Sequence, residues 1–400
     1  MGTRRPAQHR AERSTREEGL AMVHLRRRVL AVVAAVAAAM LPIQAQAAPG
    51  AAGAGEQGAR SFIVTLERSA DAPAAIRRHA VAPTHRYQRV MNGFAAPLTA
   101  HQVAALRADP AVAMVEPDGV ATIVATQVNP PSWGLDRIDQ RNLPLNDEYT
   151  FNATAANVHA YIIDTGIDAG HSEFEGRASQ VVNTVGGPNR DCNGHGTHVA
   201  GTVGAESYGV AKDVNLYGVK VLNCAGSGSW SSVIAGMDWV AANHTKPAVA
   251  NLSLGGGFNA SVNNALNSLA NSGVFVAVAA GNSGADACMF SPASASNATT
   301  VMASSSSDER ASFSNFGSCT HLYAPGVAIT STTPRNRTAT FNGTSMAAPH
   351  VTGVAAMYKS ALGDAGFSTV RTWLINNSTT GVISGNPSGT PNRLLYTNGL

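Results

Sequence analysis

The chain of 400 residues is long enough for two folded units, and its composition excludes a wholly disordered protein, because 44% of the residues are hydrophobic and only 13% are charged. The formal net charge of +3 is unevenly distributed: residues 1–124 contain 15 basic and 9 acidic side chains, whereas residues 125–400 contain 13 and 16. The acidic excess of this larger part argues against nucleic acid as a partner.

The N-terminal segment has the pattern of an export signal. Basic residues after Met22 precede an apolar run of 15 residues and a small-x-small cleavage site at Ala45-Gln46-Ala47. The run is short for a membrane anchor, which needs about 20 residues, so we expect no stable membrane association. We therefore assign residues 1–47 to an upstream extension (1–21) and a cleaved signal peptide, and predict a secreted protein.

An Ala/Gly-rich linker at 48–60 precedes a predicted small α+β domain at 61–124. Its expected elements are a strand at 61–66, a helix at 74–80, two strands around Asn92-Gly93, a helix from Thr99 and a strand at 111–118. Strand-helix-strand-strand-helix-strand is the order of a ferredoxin-like fold. Such a domain can bind a ligand, regulate the larger C-terminal part of the chain, or assist the folding of that part.

From residue 125 onward, strands and helices alternate, which is typical of an α/β domain with a largely parallel sheet flanked by helices. Four runs are almost continuously apolar, as strands buried on both faces must be. They lie at 158–164, 215–222, 248–254 and 274–280, with helical patterns at 229–244 and 259–272. In such sheets the functional residues lie at the carboxyl ends of strands.

Four cysteines lie in this part of the chain, and an even number in an exported protein favours two disulfide bonds. Spacing alone leaves three pairings open. The three-residue spacing of Cys192, His195 and His198 also permits a metal site. No fourth ligand is nearby, however, and an oxidising exterior favours disulfide bonds.

Three motifs fall at strand ends or helix starts, and each has a plain structural alternative. Asp164, followed by Thr-Gly, could form a turn. His195, within NGHGTHVAGT, could be a packed histidine, which is the role expected for His198. Ser345, within NGTSMAAPH, could cap a helix, although Thr344 could serve as that cap instead.

Taken together, the motifs point to nucleophilic catalysis. A serine hydroxyl is a weak nucleophile until an imidazole accepts its proton, and the imidazole needs a carboxylate to orient it. The order Asp164, His195, Ser345, with spacings of 31 and 150 residues, is the order found in subtilisin.

The segments DTGID, NGHGTHVAGT and NGTSMAAPHV together resemble the three signatures of the subtilase family of serine proteases. The similarity covers nearly all of residues 125–400 and is greatest to the branch of proteinase K and aqualysin. Residues 61–118 resemble the inhibitor-like propeptide of that family. The resemblance implies a secreted serine endopeptidase, made as an autoprocessed zymogen with the propeptide (61–124) as its inhibitor and the catalytic domain at 125–400.

The same resemblance implies individual roles. Ser345 would be the nucleophile that forms an acyl-enzyme, His195 the general base and then acid, and Asp164 the residue that orients it. Asn282 matches the oxyanion-hole asparagine, with the Ser345 backbone N–H as the second donor. Without the resemblance, Asn282 would be interpreted as a turn residue.

Two segments resemble those that pair with extended substrate in the family. They are Gly226-Ser227-Gly228 and Ser253-Leu254-Gly255-Gly256, and Ala279, Ala280 and Gly281 would wall a roomy uncharged pocket. We therefore expect protein and peptide substrates and broad specificity, with aliphatic or aromatic residues favoured before the cut. A monomer is expected.

The resemblance also implies disulfide bonds Cys192–Cys224 and Cys288–Cys319, and a structural calcium site. The calcium candidates are Asp136, Asp139, Gln140 and Asn146, whose oxygens suit this ion. An ordinary surface helix is the alternative. A second family site is not expected, because His321 occupies the segment where that site needs an acidic residue. No cofactor is expected to take part in the chemistry.

Two rival functions belong to other classes. A non-catalytic binding protein on the same scaffold would not need Asp164, His195, Ser345 and Asn282 together. A zinc hydrolase using the two histidines would lack the glutamate of an HExxH motif.

Overall fold

The computed structural model describes residues 59–118 and 125–400. The described residues divide into two compact units, one within residues 1–119 and the other within residues 120–400. The predicted signal peptide, nearly all of the linker and the residues just before Ala125 lie outside the described part. Within the described ranges, no helix is both long and apolar enough to cross a membrane.

The first unit has the predicted ferredoxin-like order. Its elements are β1 (Arg60–Leu66), α1 (Ala72–Arg78), β2 (His85–Tyr87), β3 (Gly93–Leu98), α2 (Ala100–Arg107) and β4 (Val112–Pro117). The four strands form an antiparallel sheet in the order β2-β3-β1-β4. Helix α2 begins where expected because the Thr99 hydroxyl accepts a hydrogen bond from the Gln102 N–H at 3.2 Å.

The second unit contains the remaining strands and helices. The strands are β5 (Ala125–Val128), β6 (Glu148–Phe151), β7 (His159–Asp164), β8 (Ala178–Asn183), β9 (Asn215–Lys220), β10 (Ala248–Leu252), β11 (Gly256–Gly257), β12 (Phe275–Ala279), β13 (Phe290–Ser291), β14 (Thr299–Ser304), β15 (Leu322–Pro325), β16 (Ile329–Thr333), β17 (Arg337–Phe341), β18 (Thr379–Thr380) and β19 (Arg393–Leu394). The helices are α3 (Trp133–Ile138), α4 (His195–Gly204), α5 (Trp230–Asn243), α6 (Ala260–Asn271), α7 (Thr344–Leu362) and α8 (Phe367–Asn377).

Nine of these strands form the central sheet, in the order β18-β19-β15-β14-β12-β10-β7-β9-β8. Every neighbouring pair is parallel except β18–β19. The largely parallel α/β fold is therefore confirmed. The four apolar runs are β7, β9, β10 and β12, which lie side by side in or next to the centre of the sheet, where both faces are covered.

The longest helix, α7, packs along β10, β12 and β14 and beside α4, while α5 and α6 pack against each other. Residues of β7, β10 and β12 and of the inner side of α7 are almost all fully buried. Asp164 ends β7, His195 begins α4 and Ser345 lies in the first turn of α7. The parallel architecture thus directs these three positions towards the carboxyl edge of the sheet.

Candidate active site

Asp164 is fully buried at the end of β7. Its Oδ1 accepts hydrogen bonds from the Nδ1–H of His195 at 2.8 Å and from the Thr165 N–H at 2.7 Å. Its Oδ2 is buried and has no hydrogen-bond partner within the described residues. Because a carboxylate only accepts, Nδ1 of His195 carries a proton, and Nε2 is the ring nitrogen left for other chemistry.

The loop before His195 is organised by a residue that the sequence analysis did not identify. Asp191 accepts from the N–H groups of Asn193 and Gly194 at 2.9 Å, and its other oxygen accepts from the Thr197 N–H at 2.9 Å. The Thr165 hydroxyl also donates a hydrogen bond to Asp191. The sequence signal was available, since an acidic residue just before a helix start commonly caps free N–H groups.

Glycine is required next to His195 for a steric reason. A Cβ at Gly196 would overlap the backbone carbonyl of Gly166. The small residue therefore lets the first turn of α4 approach the end of β7 closely enough for His195 to reach Asp164.

Two histidines in this region have opposite electrostatic environments. Burial alone would lower the pKa of His195, but the charge and hydrogen bond of Asp164, with a contribution from Asp191, raise this pKa above its ordinary value. Burial lowers the pKa of His198 to about 4. The His198 Nε2 lies 3.1 Å from two backbone carbonyls and its ring stacks on Phe341, which is the geometry of a structural support.

Ser345 is the second residue of α7, so its N–H has no acceptor within the helix. Pro349, four residues later, has no N–H to donate to the Ser345 carbonyl. The hydroxyl of Ser253 donates to that carbonyl instead, at 2.7 Å. The start of α7 is thereby tied to the segment after β10.

Thr344 does not cap this helix, contrary to the alternative considered above. Gly343 is the capping residue and offers no side chain, whereas Thr344 is the first helical residue. Its N–H and its hydroxyl both donate to Asn282 Oδ1, each at 2.8 Å. Because Oδ1 is held in this way, the amide nitrogen of Asn282 is the part left to donate elsewhere.

These groups open onto a cavity of about 780 Å³. It is lined by His195, Asn282 and Ser345 and by all ten predicted substrate-binding residues: Gly226, Ser227, Gly228, Ser253, Leu254, Gly255, Gly256, Ala279, Ala280 and Gly281. Apart from His195, no ionisable side chain of the described residues lines it. The cavity therefore suits an uncharged, extended ligand.

The structure does not join all three predicted catalytic residues by hydrogen bonds. Ser345 Oγ donates to the Ser253 carbonyl at 3.2 Å, rather than to His195. Both side chains line the same cavity. A serine side chain has three staggered positions, so rotation about one bond redirects the hydroxyl.

Trp230 and Phe290 also line the cavity, although the sequence analysis did not assign them. A Cβ at Gly256 would lie 2.7 Å from the Trp230 ring. The absence of a side chain there lets the indole close one end of the cavity. Aromatic residues at helix starts carry no specific signal, so this contact required the tertiary structure.

Lys220 is a buried cation that the sequence analysis also missed. It lies opposite Asp164 in the β7–β9 register and is fully buried. Its Nζ donates to the carbonyls of Thr165 at 2.7 Å and Leu222 at 3.0 Å. Burial lowers its pKa, and the charges of Asp191 and Asp164 oppose that effect. Lys220 thus partly compensates two buried carboxylates beneath the site.

Two disulfide bonds are present, Cys192–Cys224 and Cys288–Cys319, which is the pairing implied by the resemblance. The first joins the loop before His195 to the segment before Gly226. Since Cys192 is bonded to sulfur, it is not a metal ligand together with His195 and His198. No group of three or more His, Cys, Asp or Glu side chains converges on a metal position anywhere in 59–118 or 125–400.

The predicted calcium residues lie around the end of α3. Both oxygens of Asp136 accept backbone N–H groups, from Asn146 at 3.3 Å and Asp147 at 2.8 Å. Asp139 Oδ2 accepts the Thr150 N–H at 2.6 Å, while its Oδ1 is buried without a partner among the described residues. Burial, with the charge of Asp136 as a smaller contribution, raises the pKa of Asp139 to about 6.

Gln140 and Asn146 supply amide groups beside this pair. Gln140 donates through Nε2 to the carbonyls of Asn142 and Pro144, which leaves its Oε1 as the acceptor. Asn146 Oδ1 accepts the Glu148 N–H at 3.2 Å. The unpaired Asp139 Oδ1 and the amide oxygen of Gln140 are the type of oxygen ligands that fit a hard cation.

At His321 the structure offers no such set. Its Nδ1 accepts the Thr300 N–H at 3.1 Å, and burial lowers its pKa to about 4. The Arg371 guanidinium lies 3.5 Å from Nε2 and donates to the carbonyls of Ser296 and Ala298. The positively charged Arg371 side chain therefore lies beside His321, in the segment where a second calcium site was not expected.

Comparison with known protein families is consistent with this geometry. The model described as "Subtilase family" matches residues 157–395, and the model "Peptidase inhibitor I9" matches residues 61–123. The chain belongs to the subtilase family. The resemblance stated from the sequence motifs is confirmed, as is the inhibitor-type propeptide, and the protein is a serine endopeptidase.

Individual relatives of this subtilase agree with the family assignment. It is 51% identical over 315 residues to an extracellular serine proteinase of Thermus sp. (strain Rt41A), covering 78% of this chain and 77% of that one. It is 45% identical over 353 residues to proteinase R of Parengyodontium album, covering 86% and 90%. The crystal structure of a cold-adapted subtilisin-like serine proteinase matches with a TM-score of 0.65 and 49% identity, covering 66% of this chain and 97% of that one.

The two histidines of the subtilase allow a direct test of the electrostatics. We expect NMR titration to give His195 a pKa above its ordinary value of about 6.5, while His198 stays neutral down to about pH 4. In Asp164→Asn the pKa of His195 should fall, because burial is then opposed only by the smaller effect of Asp191. An unchanged His195 pKa in that variant would contradict the proposed electrostatic origin.

Proposed function

We propose that this subtilase cleaves peptide bonds with Ser345 as nucleophile, His195 as general base and acid, and Asp164 as the residue that orients His195. The observation that carries the proposal is the 2.8 Å hydrogen bond between Asp164 and His195. It presents Nε2 of His195 to the cavity that also contains Ser345 and Asn282.

In the first half of the reaction, the Ser345 hydroxyl turns from the Ser253 carbonyl towards His195. Its oxygen attacks the carbonyl carbon of the scissile bond while its proton passes to Nε2 of His195. The imidazolium that forms is stabilised by the buried Asp164 carboxylate. His195 then gives the proton to the leaving amine, and the acyl chain remains as an ester on Ser345.

In the second half, water attacks the ester with His195 again as base, and the carboxylic acid product leaves. In both halves the carbonyl oxygen becomes negatively charged. The amide nitrogen of Asn282 and the backbone N–H of Ser345 are the two donors available to stabilise it. The anchoring of Asn282 Oδ1 by Thr344 keeps the first donor aimed into the cavity.

The cavity supports broad specificity with a hydrophobic residue before the cut. Segments Gly226–Gly228 and Ser253–Gly256 would pair with the substrate backbone as added strands. Such backbone pairing does not depend on the side chains of the substrate. The pocket at Ala279–Gly281 has small walls and no charged lining among the described residues. Protein and peptide substrates therefore fit, and a preference for Lys or Arg has no physical basis there.

We infer that the protein is secreted as a zymogen and cuts itself free of residues 61–124, giving a catalytic chain that begins at Ala125. The inhibitor-type match at 61–123 supports an inhibitory propeptide. The name of the Thermus relative, an extracellular proteinase, supports export. We expect the mature enzyme to act as a monomer.

We also propose that the Asp136 and Asp139 region binds calcium as a structural ion. Asp136, Asp139, Gln140 and Asn146 would hold it, and the partnerless Asp139 Oδ1 is the observation in favour. Bound calcium would supply a positive charge beside two carboxylates that otherwise repel each other. The ion has no part in the peptide hydrolysis described above.

Ser345→Ala tests the nucleophile. Hydrolysis of a peptide anilide should fall by about 10⁶-fold, because no group replaces the hydroxyl. The protein should remain folded by circular dichroism, and the precursor should remain unprocessed on mass analysis. Ser268→Ala, at an exposed serine of α6 that does not line the cavity, serves as the matched control and should retain activity. Substantial turnover by Ser345→Ala would overturn the assignment.

Asn282→Ala tests the oxyanion donor. We expect kcat to fall by about 10²- to 10³-fold with little change in KM, because the lost bond acts in the transition state. Asn282 also anchors α7, so Thr344→Val is the control: it removes one of the two anchoring donors but keeps the amide nitrogen. If Thr344→Val lost as much activity as Asn282→Ala, anchoring rather than charge stabilisation would explain the effect.

Removal of calcium tests the ion site, with Ser345→Ala as background to prevent self-digestion. We expect chelator to lower the Tm of the parent protein, because the two carboxylates are left uncompensated. Asp139→Asn should melt at the same temperature with and without chelator, and above the chelated parent. The exposed Asp238→Asn should respond to chelator as the parent does. A parent Tm that is insensitive to chelator would exclude the site.

A further inference from the structure

A second cavity, of about 380 Å³, adjoins the first and shares Asn193 with it. It lies between the segment that precedes His195 (190–194) and the hairpin formed by β16 and β17. Nothing in the proposed catalytic reaction uses it. Its position, two residues along the chain from His195, nevertheless puts it next to the reacting groups.

Three arginines dominate the lining of this second cavity: Arg190, Arg335 and Arg337. All three are exposed. Within residues 59–118 and 125–400, no carboxylate lies within 4.0 Å of their guanidinium groups, whereas Arg137 and Arg177 each have an acidic partner. The second cavity therefore gathers three guanidinium groups without a carboxylate partner among the described residues, in a unit where acidic residues outnumber basic ones.

The two acidic residues of the lining are directed towards backbone groups. Both Asp191 oxygens accept hydrogen bonds from its own loop and the start of α4. Asp168 Oδ2 accepts the backbone N–H of Arg335 at 2.7 Å. Neither carboxylate therefore neutralises a guanidinium directly. We name the region bounded by Arg190, Arg335 and Arg337 the arginine cleft.

The hairpin that presents two of these arginines is held in place. Pro334, Arg335 and Asn336 form the three-residue loop that joins its strands, and Arg335 and Asn336 both have positive φ, of 71° and 54°. Besides the bond from Arg335 to Asp168, the Ser172 N–H donates to Asn336 Oδ1 at 2.8 Å. The guanidiniums thus project from a tethered turn, which lowers the entropy lost when they bind a ligand.

The location indicates which part of a substrate would meet the arginine cleft. The first cavity contains Ala279–Gly281 and both strand-pairing segments, and accommodates the residues before the cut. The chain on the leaving-group side continues past His195 and must occupy other surface. An extended peptide advances about 3.3 Å per residue, so its first few residues after the cut can reach a cavity that begins at Asn193.

We propose that the arginine cleft binds carboxylate side chains on the leaving-group side of the substrate, so that this subtilase favours acidic residues a few positions after the cut. The inference rests on the proposed catalytic role of Ser345. Each guanidinium offers paired donors that match a carboxylate. Since the cleft is open to solvent, the attraction should weaken as salt screens it.

The test uses internally quenched peptides that share the residues before the cut and carry Glu, Gln or Lys at each of the four positions after it. We expect Glu to exceed Gln in kcat/KM by about 3- to 10-fold at one or more of these positions in low salt, and Lys to be slower than Gln. The Glu advantage should shrink in about 0.5 M NaCl. Equal rates for Glu, Gln and Lys at all four positions would overturn the proposal.

Substitution of the three arginines tests whether the arginine cleft causes the preference for Glu. Arg335→Gln and Arg337→Gln should each reduce the Glu advantage, and the triple variant with Arg190→Gln should abolish it, while cleavage of the Gln peptides stays unchanged. Lys246→Gln, an exposed cation that lines neither cavity, is the matched charge control and should keep the full preference. A preference that survives in the triple variant would overturn the proposal.

Binding to Ser345→Ala separates recognition from turnover. Fluorescence anisotropy should show tighter binding of the Glu peptide than of the Gln peptide. The Arg335→Gln change should reduce this difference, and the triple variant should remove it. If the wild-type enzyme cleaves every peptide without preference, the cleft proposal fails while the catalytic one stands. If it cleaves none, the catalytic proposal fails and this inference fails with it.

Discussion

The arrangement of the site depends on one buried ionic contact, the hydrogen bond between Asp164 and His195. A carboxylate with no exposure and one unpaired oxygen is costly to bury unless positive charge is close. His195 can supply that charge when it takes a proton, and Lys220 supplies it from the neighbouring strand when it is protonated. The same burial that penalises the carboxylate makes its attraction for a protonated imidazole strong, because the surrounding dielectric is low.

A second constraint is the way the start of α7 is built into its surroundings. Pro349 leaves the Ser345 carbonyl without a helical donor, and the Ser253 hydroxyl from the segment after β10 donates to it instead. Thr344 donates to Asn282, which follows β12. The start of α7 is therefore connected both to a proposed substrate-binding segment and to the proposed oxyanion donor. This rigidity is consistent with a site that keeps its donors oriented before the reaction begins.

Much of the fold and site could be predicted from local patterns. The apolar runs at β7, β9, β10 and β12 indicated a buried parallel sheet. The short motifs around His195 and Ser345 identified positions that the structure places at one cavity, with Asp164 hydrogen-bonded to His195. Strands β8, β14 and β15 were not predicted, because polar residues or a proline interrupt their apolar residues: they read ASQVVN, TTVMAS and LYAP. The alternative that Thr344 caps α7 is wrong, because Gly343 is the capping residue and the Thr344 hydroxyl and N–H donate to a distant partner, Asn282.

By itself, the sequence determined the order of the elements, the residue types available for chemistry and the family to which they belong. These features are local: periodicity, caps and motif spacing are present in short stretches of chain. The tertiary structure alone decided that Ser345 Oγ donates to the Ser253 carbonyl, that Lys220 lies opposite Asp164, and that Arg190 lines the same cavity as Arg335 and Arg337 of a distant hairpin. Such neighbours arise from sheet order and loop packing, which no short stretch of sequence encodes.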